Sequence, residues 1–256
     1  MKNKLTILGC GSSLGSPWIN QNWGNCQKKN IKNIRTRCCA HIKFKSLSVL
    51  IDTSPDIKQQ LISNKIKNVD AIVYTHEHAD QTAGIFEFRP IYFLTRKKIA
   101  IYCNLQTKKR IISSFPWLFK NSKLYPQIMK IKSLSSNFLI SKKKTKLKMQ
   151  SIDVIHGNTN TRGYLFKKIA YLSDCNKIPS KSLKKLKNLN YLIIDCFRIN
   201  KHFTHLNLEE SLDLIKYLKP KKAILTNMHI DLDYNKLRKI LPKNVVPAYD
   251  GMSINF

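Results

Sequence analysis

The chain has 256 residues, which is long enough for one large hydrophobic core and predicts a single domain over residues 1–256. Hydrophobic residues make up 43% of it and aromatic residues 9%, which excludes a disordered chain. Its 46 basic and 15 acidic residues give a net charge of +31, which suits a polyanionic partner such as RNA. Because the lysines are spread along most of the chain, we favour a compositional origin for this charge over a dedicated RNA surface.

The predicted elements begin with a region of strands. Residues 4–9 predict a first strand, and residues 39–44 and 47–52 predict a pair of strands joined by a tight turn. Residues 56–64 show helical spacing, with a helix N-cap expected at Ser54 or Asp56. This order places a mostly extended segment before the first helix.

The rest of the chain alternates strands with helices. We expect a connector over residues 84–92 and a helix over 107–119 that Pro116 interrupts. The other predicted strands are 69–74, 99–103, 149–156, 164–166, 169–172, 191–196, 223–226 and 252–256, and the other predicted helices are 180–189, 207–218 and 234–241.

The seven cysteines indicate a reducing compartment. An odd number does not suit a disulfide framework, and several of the thiols lie beside apolar runs, where a buried free cysteine is common. No run of about 18 apolar residues is present, so we expect a cytoplasmic protein without a membrane contact. Cys26 with Cys38 or Cys39 could hold a structural metal, although no C-x-x-C pair supports it.

The strongest candidate for chemistry is the segment Y-T-H-E-H-A-D-Q-T-A-G over residues 74–84. It follows an apolar strand and carries His76, His78 and Asp80. Alternate residues of an extended chain point the same way, so these three side chains could converge at the tip of the strand. Imidazoles and a carboxylate suit zinc, and also iron or manganese. The segment therefore predicts a metal site.

Further candidate ligands follow other predicted strands. His156, Asp174 and His229 each stand at or just after the end of a strand. Each of them alone is more often a core or surface residue than a ligand. Ligands gathered on loops at one edge of a sheet are the usual layout of a site on a rigid scaffold, so their joint placement favours a shared metal centre.

This order of His-x-His-x-Asp, His, Asp and His resembles the metallo-β-lactamase superfamily. The resemblance implies an α+β fold, a four-layer αβ/βα sandwich, with a dinuclear metal site between two sheets. The segments L-T-I-L-G-C-G-S-S, I-D-T-S-P-D and T-N-M-H-I-D-L-D-Y are most similar to the branch of the phosphoribosyl 1,2-cyclic phosphate phosphodiesterase.

The resemblance also implies which residues hold the two divalent ions, with zinc expected first and manganese second. His76, His78 and His156 would bind the first ion, and Asp80, Asp174 and His229 the second, with Asp174 bridging both. The superfamily usually has a histidine directly after the aspartate of its first motif, whereas this chain has Gln81. An amide oxygen is a weaker ligand, which puts the second metal in doubt.

The function that the resemblance implies is a metal-dependent phosphodiesterase that opens a small cyclic phosphate. Two close cations polarise a phosphoryl oxygen and bring the pKa of a bridging water towards neutrality. We expect Asp80 and His205 to be catalytic, with His205 as the proton donor to the leaving oxygen, and Arg162 and His202 to bind substrate.

Several alternatives stay open. A tRNA 3′-processing endonuclease would suit the charge, but the interval between His156 and Asp174 is too short for the arm that its bacterial forms use to grip tRNA. A relative that binds metal or nucleic acid without catalysis would explain Gln81. A thioester or lactam hydrolase is a further alternative, because the superfamily does not fix the bond cleaved. A homodimer is compatible with all of these.

Overall fold

The computed structural model describes residues 3–123 and 125–256, which form two seven-stranded mixed sheets. The strands of the first sheet are β1 (Lys4–Gly9), β2 (Cys39–Phe44), β3 (Leu47–Ile51), β4 (Ala71–Val73), β5 (Ile99–Cys103), β6 (Met129–Ser133) and the last strand, β14 (Ser253–Asn255). They lie in the order β14-β1-β2-β3-β4-β5-β6.

The strands of the second sheet come from the second half of the chain. They are β7 (Asn137–Lys142), β8 (Thr145–His156), β9 (Thr159–Phe166), β10 (Ile169–Leu172), β11 (Tyr191–Asp195), β12 (Lys222–Thr226) and β13 (Val245–Pro247), in the order β13-β12-β11-β10-β9-β8-β7. Both sheets have the same pattern, in which three antiparallel pairings are followed by three parallel pairings.

The main core lies between the two sheets. Val49 and Ile51 of β3 join one large apolar cluster with residues of the second sheet, whereas Leu50 faces a second cluster on the other side. This alternation is the two-residue period of a strand that is buried on both faces. Apolar residues on both faces therefore require a further layer outside each sheet.

Seven α-helices and three 3-10 segments supply most of these outer layers in the described part of the chain. The α-helices are α1 (Ile57–Ser63), α2 (Ala79–Thr82), α3 (Arg89–Thr95), α4 (Leu105–Ser114), α5 (Ser180–Leu183), α6 (Leu208–Leu218) and α7 (Tyr234–Ile240), and the 3-10 segments are Ile31–Asn33, Ala83–Phe88 and Pro116–Leu118. Helices α1 and α4 cover the first sheet through Ile57, Leu61 and Ile111. The predicted four-layer α+β sandwich is confirmed.

Helix α6 shows how the sequence sets an element boundary. The Asn207 side chain accepts a hydrogen bond from the backbone N–H of Glu210, whose carboxylate accepts one in return from the Asn207 N–H. This reciprocal capping fixes the start of the helix where the sequence predicted it. None of the helices in the part of the chain that the structure describes could span a bilayer.

Two predicted elements are wrong. Residues 84–92 form a 3-10 segment and the start of α3 rather than a connector, because Pro90 stands at the beginning of a helix, where proline is tolerated. Residues 180–189 form a helix only over Ser180–Leu183. Leu183, Leu186 and Leu189 recur every three residues, which suits the tighter turns that continue the segment.

Hydrogen bonds join the two sheets across their facing surfaces. The Tyr164 hydroxyl of β9 donates to the Tyr74 carbonyl at 2.6 Å, and the Arg162 backbone N–H donates to the Thr75 carbonyl at 3.0 Å. Both bonds lie directly after β4. Strand β8 runs in the same direction as β10, so the carboxyl ends of β8, β10, β11 and β12 meet at one edge of the second sheet.

Candidate metal centre

Three histidines converge where β4 and β8 end. His76 follows β4, His78 caps the start of α2, and His156 is the last residue of β8. His76 Nε2 lies 2.9 Å from His78 Nδ1, and the ring of His156 has its centroid within 5.3 Å of both other rings. One ligand atom from each residue lies within 4.8 Å of the others, so the three could share a cation.

Hydrogen bonds orient His76 for this role. Thr75 Oγ1 donates to Asp52 Oδ2 at 3.0 Å, so it accepts from His76 Nδ1, also at 3.0 Å. The proton of the ring is thereby placed on Nδ1, and the Nε2 lone pair faces the site. Burial lowers the pKa of His76 to about 3, although Asp174 opposes the shift. The ring is therefore neutral, as a metal ligand must be.

His156 is held in the same way from the second sheet. Its Nδ1 donates to the Thr204 carbonyl at 2.7 Å, which leaves Nε2 directed at the site. Burial lowers the pKa of His156 despite the nearby carboxylate of Asp174. Two of the three histidines thus have a fixed tautomer before any ion binds.

A second group shares His156 with the first. Ligand atoms of His156, Asp174 and His205 lie within 4.8 Å of one another. Burial by itself raises the pKa of Asp174, but the three histidines 76, 205 and 156 outweigh it and leave the pKa below its usual value. Asp174 is thus poised to carry a negative charge between the two groups.

His205 is anchored by a buried aspartate. Its Nδ1 lies 2.7 Å from Oδ2 of Asp195, which ends β11 and is fully buried. Burial favours the neutral form of His205, but Asp195 outweighs it and raises the pKa of the ring to about 9. Burial raises the pKa of Asp195 itself to about 7. The proton between the two holds the second ring nitrogen of His205 towards the site.

Two amides border Asp174. Gln81 Nε2 lies 3.4 Å from its Oδ2 and 3.0 Å from Oδ2 of Asp80, and Asn227 Nδ2 lies 3.3 Å from its Oδ1. An ionised carboxylate only accepts hydrogen bonds, so both amides must present their NH₂ groups. The pKa of Asp80 is raised, first by burial and then by Asp174. The Gln81 oxygen is buried without a hydrogen-bond partner among the described residues.

The structure does not bring His229 into either group. Its ring is separated from that of His205 by Phe197, with centroid distances of 5.3 and 4.7 Å, and its Nδ1 pairs with Asp231 at 3.0 Å. Asn227, directly after β12, takes the place that the sequence assigned to His229. Its φ of 61° bends the chain at that point, a conformation that asparagine tolerates better than most residues.

The two expected substrate residues differ in position. His202 lies on the loop before α6, with its ring centroid 5.3 Å from that of His205, so it borders the site. Arg162 is not brought to the cluster, because its guanidinium pairs with Asp153, its cross-strand neighbour on β8. The expected role of Arg162 in binding a substrate phosphate stays a prediction.

The sequence left open whether Cys26 with Cys38 or Cys39 holds a structural metal, and the structure does not bring these cysteines together as a ligand group. All seven cysteines are free and buried. Cys26 contacts Arg35 and the Leu232 carbonyl, and Cys38 contacts Thr226 at 3.6 Å. The cysteines thus lie in separate surroundings, and none belongs to a ligand group in the part of the chain that the structure describes.

Sequence reasoning missed three supporting residues: Asp52, Asp195 and Asn227. Each stands at the carboxyl end of a buried strand, which is the signal that identified His156 and Asp174. Asp52 and Asn227 both have a positive φ, at 65° and 61°, which turns the chain sharply after β3 and β12. A search for any polar residue at the end of a buried strand would therefore have found these three residues. The search of the sequence considered too few residues of this kind.

The residues fit a divalent cation best at the histidine group. His76, His78 and His156 offer three imidazoles, of which His76 and His156 already have a fixed tautomer, and imidazoles are donors that suit zinc. The second group offers His156, Asp174 and His205, while Gln81 and Asn227 direct NH₂ groups at the carboxylate. A second cation has fewer anionic and imidazole donors there than the sequence predicted.

Comparison with known proteins agrees with this geometry. Residues 48–230, more than half of the chain, match the family model of the beta-lactamase superfamily domain. The crystal structure of a new diphosphatase from the PhnP family is 31% identical and superimposes with a TM-score of 0.91, covering 100% of this chain and 98% of that one.

Two other similar proteins are more distant. The crystal structure of the human short-form tRNase Z shares the fold, with 16% identity, a TM-score of 0.70 and coverage of 98% of both chains. An octanoyltransferase from Porphyromonas gingivalis (strain ATCC BAA-308 / W83) is 27% identical over 250 residues. These cover 96% of this chain but only 50% of that protein, so the chain spans about half the length of this curated relative.

Proposed function

The chain belongs to the metallo-β-lactamase superfamily, in its PhnP-like branch, and on that premise we propose that it is a phosphodiesterase acting on a small phosphate ester such as a cyclic phosphate. A metal-dependent hydrolase is the general activity of this fold. Beyond this general activity, we propose that the bond cleaved is a phosphodiester bond. We expect the metal to be zinc, with manganese as the second choice.

One observation carries the proposal: His76, His78 and His156 form one ligand group, and Asp174 and His205 lie directly beside His156. Divalent cations held there would polarise a phosphoryl oxygen and acidify a water molecule. The +31 charge of the chain is compatible with an anionic substrate. The diphosphatase relative at 31% identity supports phosphate chemistry rather than cleavage of a lactam or thioester.

Some residues of the chain would orient the histidines that hold a metal ion, and His205 would transfer a proton. Thr75 and the Thr204 carbonyl fix the imidazoles of His76 and His156. His205 holds one proton against Asp195, and its raised pKa of about 9 keeps a second proton available on the other ring nitrogen at neutral pH. A donor of this kind meets the need of an alkoxide leaving group.

A tRNA 3′-processing nuclease is the alternative that the human tRNase Z neighbour invites, but at 16% identity that likeness concerns the fold. The β8–β9–β10 region has tight turns at Gly157 and at Lys167–Lys168, without an inserted arm among its residues. We therefore favour a small substrate. Octanoyl transfer is not proposed, because this chain covers half of the protein that carries that name.

The test is a metal analysis of the purified protein followed by assays on bis(p-nitrophenyl) phosphate, cyclic ribose phosphates and precursor tRNA. We expect stoichiometric zinc or manganese and hydrolysis of the first two substrates. Cleavage of precursor tRNA alone would favour the nuclease, and a metal-loaded protein that is inactive on all three would reject the proposal.

A further inference from the structure

An aromatic side chain stands in solvent beside the candidate metal centre. Phe203 is 93% exposed, compared with 49% for Phe86 and 44% for Phe93. Keeping an aromatic ring in water forgoes the free energy that its burial would release. A ring displayed in this way next to a site is a candidate contact for a ligand.

The loop that carries Phe203 is held in place on both sides of it. The Asn176 side chain donates to the Phe203 carbonyl at 2.8 Å, and His156 donates to the Thr204 carbonyl at 2.7 Å. Before Phe203 in the chain, Arg198 donates to the Lys201 carbonyl at 2.7 Å. The exposure of the ring is therefore set by a fixed backbone, not by a loose segment.

Phe203 is also close to the chemistry. It lies between His202, which borders the site, and Thr204, whose carbonyl contacts a candidate metal ligand. Adjacent Cα atoms are about 3.8 Å apart, so the Cα of Phe203 lies next to that of Thr204, the residue that orients His156. A group that is joined to a phosphate at the metal centre would extend past this loop.

The surroundings suit a ligand that is both aromatic and anionic. The loop of Phe203 also carries Arg198, whose guanidinium donates to the Lys201 carbonyl, and the exposed Lys201, so the segment is cationic. A nucleotide carries a flat base together with phosphate. Stacking of bases on aromatic side chains is tolerant of sequence, because every base has a π-face.

We infer that Phe203 is a stacking platform for the base of a nucleotide-type phosphodiester, and hence a specificity-determining residue of this site. This inference rests on the proposed function and narrows its substrate class. It assigns to Phe203 the part of the substrate that lies outside the metal centre, and no part in the chemical step.

The experiment compares two phosphodiesters with the same leaving group on the zinc- or manganese-loaded protein. One is thymidine 5′-(p-nitrophenyl phosphate), and the other is methyl p-nitrophenyl phosphate, which has no base. Phe203→Ala should raise KM for the thymidine ester roughly 5- to 150-fold, the range that base stacking contributes, with kcat unchanged. KM for the methyl ester should stay the same.

Two variants separate stacking from a general effect on the fold. Phe203→Trp should keep the preference for the thymidine ester, because tryptophan also stacks on bases. Phe93→Ala, which removes an exposed ring from α3, should leave both substrates unaffected. An equal change of KM for both esters in Phe203→Ala would overturn the inference.

Failure of the proposed function can be told apart from failure of this inference. If the loaded wild-type protein hydrolyses neither ester, the phosphodiesterase proposal fails. Calorimetric titration with thymidine 5′-monophosphate then tests Phe203 alone, with weaker binding expected for Phe203→Ala than for Phe203→Trp. Equal affinities, or no binding by the wild-type protein, would refute the stacking role.

Discussion

The two sheets share one pattern of strand pairing, yet their edges contribute different parts of the candidate site. The first sheet supplies His76 and His78 from one short segment, supported by Asp52. The second sheet supplies separate residues at the ends of four strands, among them carboxylates and an amide: His156, Asp174, Asp195 and Asn227. The same strand pairing therefore does not give the two sheet edges the same functional groups, because these depend on the residues at the strand ends.

The comparison separates a histidine side from a carboxylate–amide side. The histidine side, His76 and His78, forms a group that could share one cation once His156 joins it, and two of these three rings have a fixed tautomer. On the other side, amides stand beside the carboxylate of Asp174 where further ligands were predicted. Substitutions on the two sides should therefore have unequal effects on metal content and on activity.

The largest effect is expected from His76→Ala, which removes a ligand from the histidine side. Metal content should fall, and phosphodiester hydrolysis should drop at least about a thousandfold, because a metal ion supplies several kcal/mol of transition-state stabilisation. Metal analysis, the bis(p-nitrophenyl) phosphate assay and circular dichroism check this. Full activity in a folded variant would reject the site.

His205→Ala tests the other side. If His205 is the proton donor, kcat should fall about 10²- to 10⁴-fold while metal content is retained. Asp195→Asn should lower kcat in the same direction, since Asp195 holds the ring at 2.7 Å. His202→Ala, on the same loop, is the control and should have a smaller effect. Loss of one equivalent of metal in His205→Ala would make His205 a ligand instead.

Thr75→Val tests the hydrogen bonds that orient His76 on the histidine side. The variant removes the hydroxyl that links Asp52 to His76, and such outer partners are typically worth 10- to 100-fold in metal affinity. Competition with a chelator measures the change. Thr75→Ser retains the hydroxyl and should bind metal like the wild-type protein; equal weakening in both variants would point to packing instead.

His41 is a buried histidine of β2 that lies outside the site, so it shows the effect of burial on the pKa of a histidine where no metal binds. Burial lowers its pKa to about 4, whereas an unfolded chain titrates at about 6.5. Neutral His41 therefore contributes stability above pH 6.5 that is lost as the pH falls towards 4.

Between pH 7.5 and pH 5 this linkage amounts to about 2 kcal/mol of unfolding free energy. His41→Gln should lose stability less steeply than the wild-type protein over that interval, as measured by denaturant unfolding of the metal-free forms. Parallel pH profiles for the two proteins would show that His41 does not contribute.

Gln81→His should produce the smallest change, and it acts on the carboxylate–amide side. Imidazole is a better ligand than an amide, so a second cation should bind about tenfold more tightly, while the first site is unaffected. Gln59→His, at an exposed position of α1, is the matched control. Unchanged affinity would place residue 81 outside the coordination sphere.

The sequence predicted the histidine corner well because its residues are local. His76, His78 and Asp80 are fixed relative to one another by a few bonds, so a motif is enough to bring them together. His156 and Asp174 needed a rule about strand ends, and this rule worked because His156 is the last residue of β8 and Asp174 lies two residues after the end of β10.

The remaining errors come from turn geometry that a pattern does not encode. A two-residue offset and a positive φ decide that Asn227, and not His229, faces Asp174. Arg162 points to Asp153 because strand register makes them neighbours. Asp195 was missed since an aspartate at the end of an apolar run looks like the start of a loop, yet it is fully buried.

The bonds from Tyr164 to the Tyr74 carbonyl and from Arg162 to the Thr75 carbonyl tie the sheets together within two residues of His76. Each half of the molecule thereby sets the distance at which its ligands meet those of the other half. A change in the side chains between the sheets, even far from any ligand, would alter the spacing of the ligands. Selection on the volume of the core and selection on catalysis consequently both act on the distance between the two sheets.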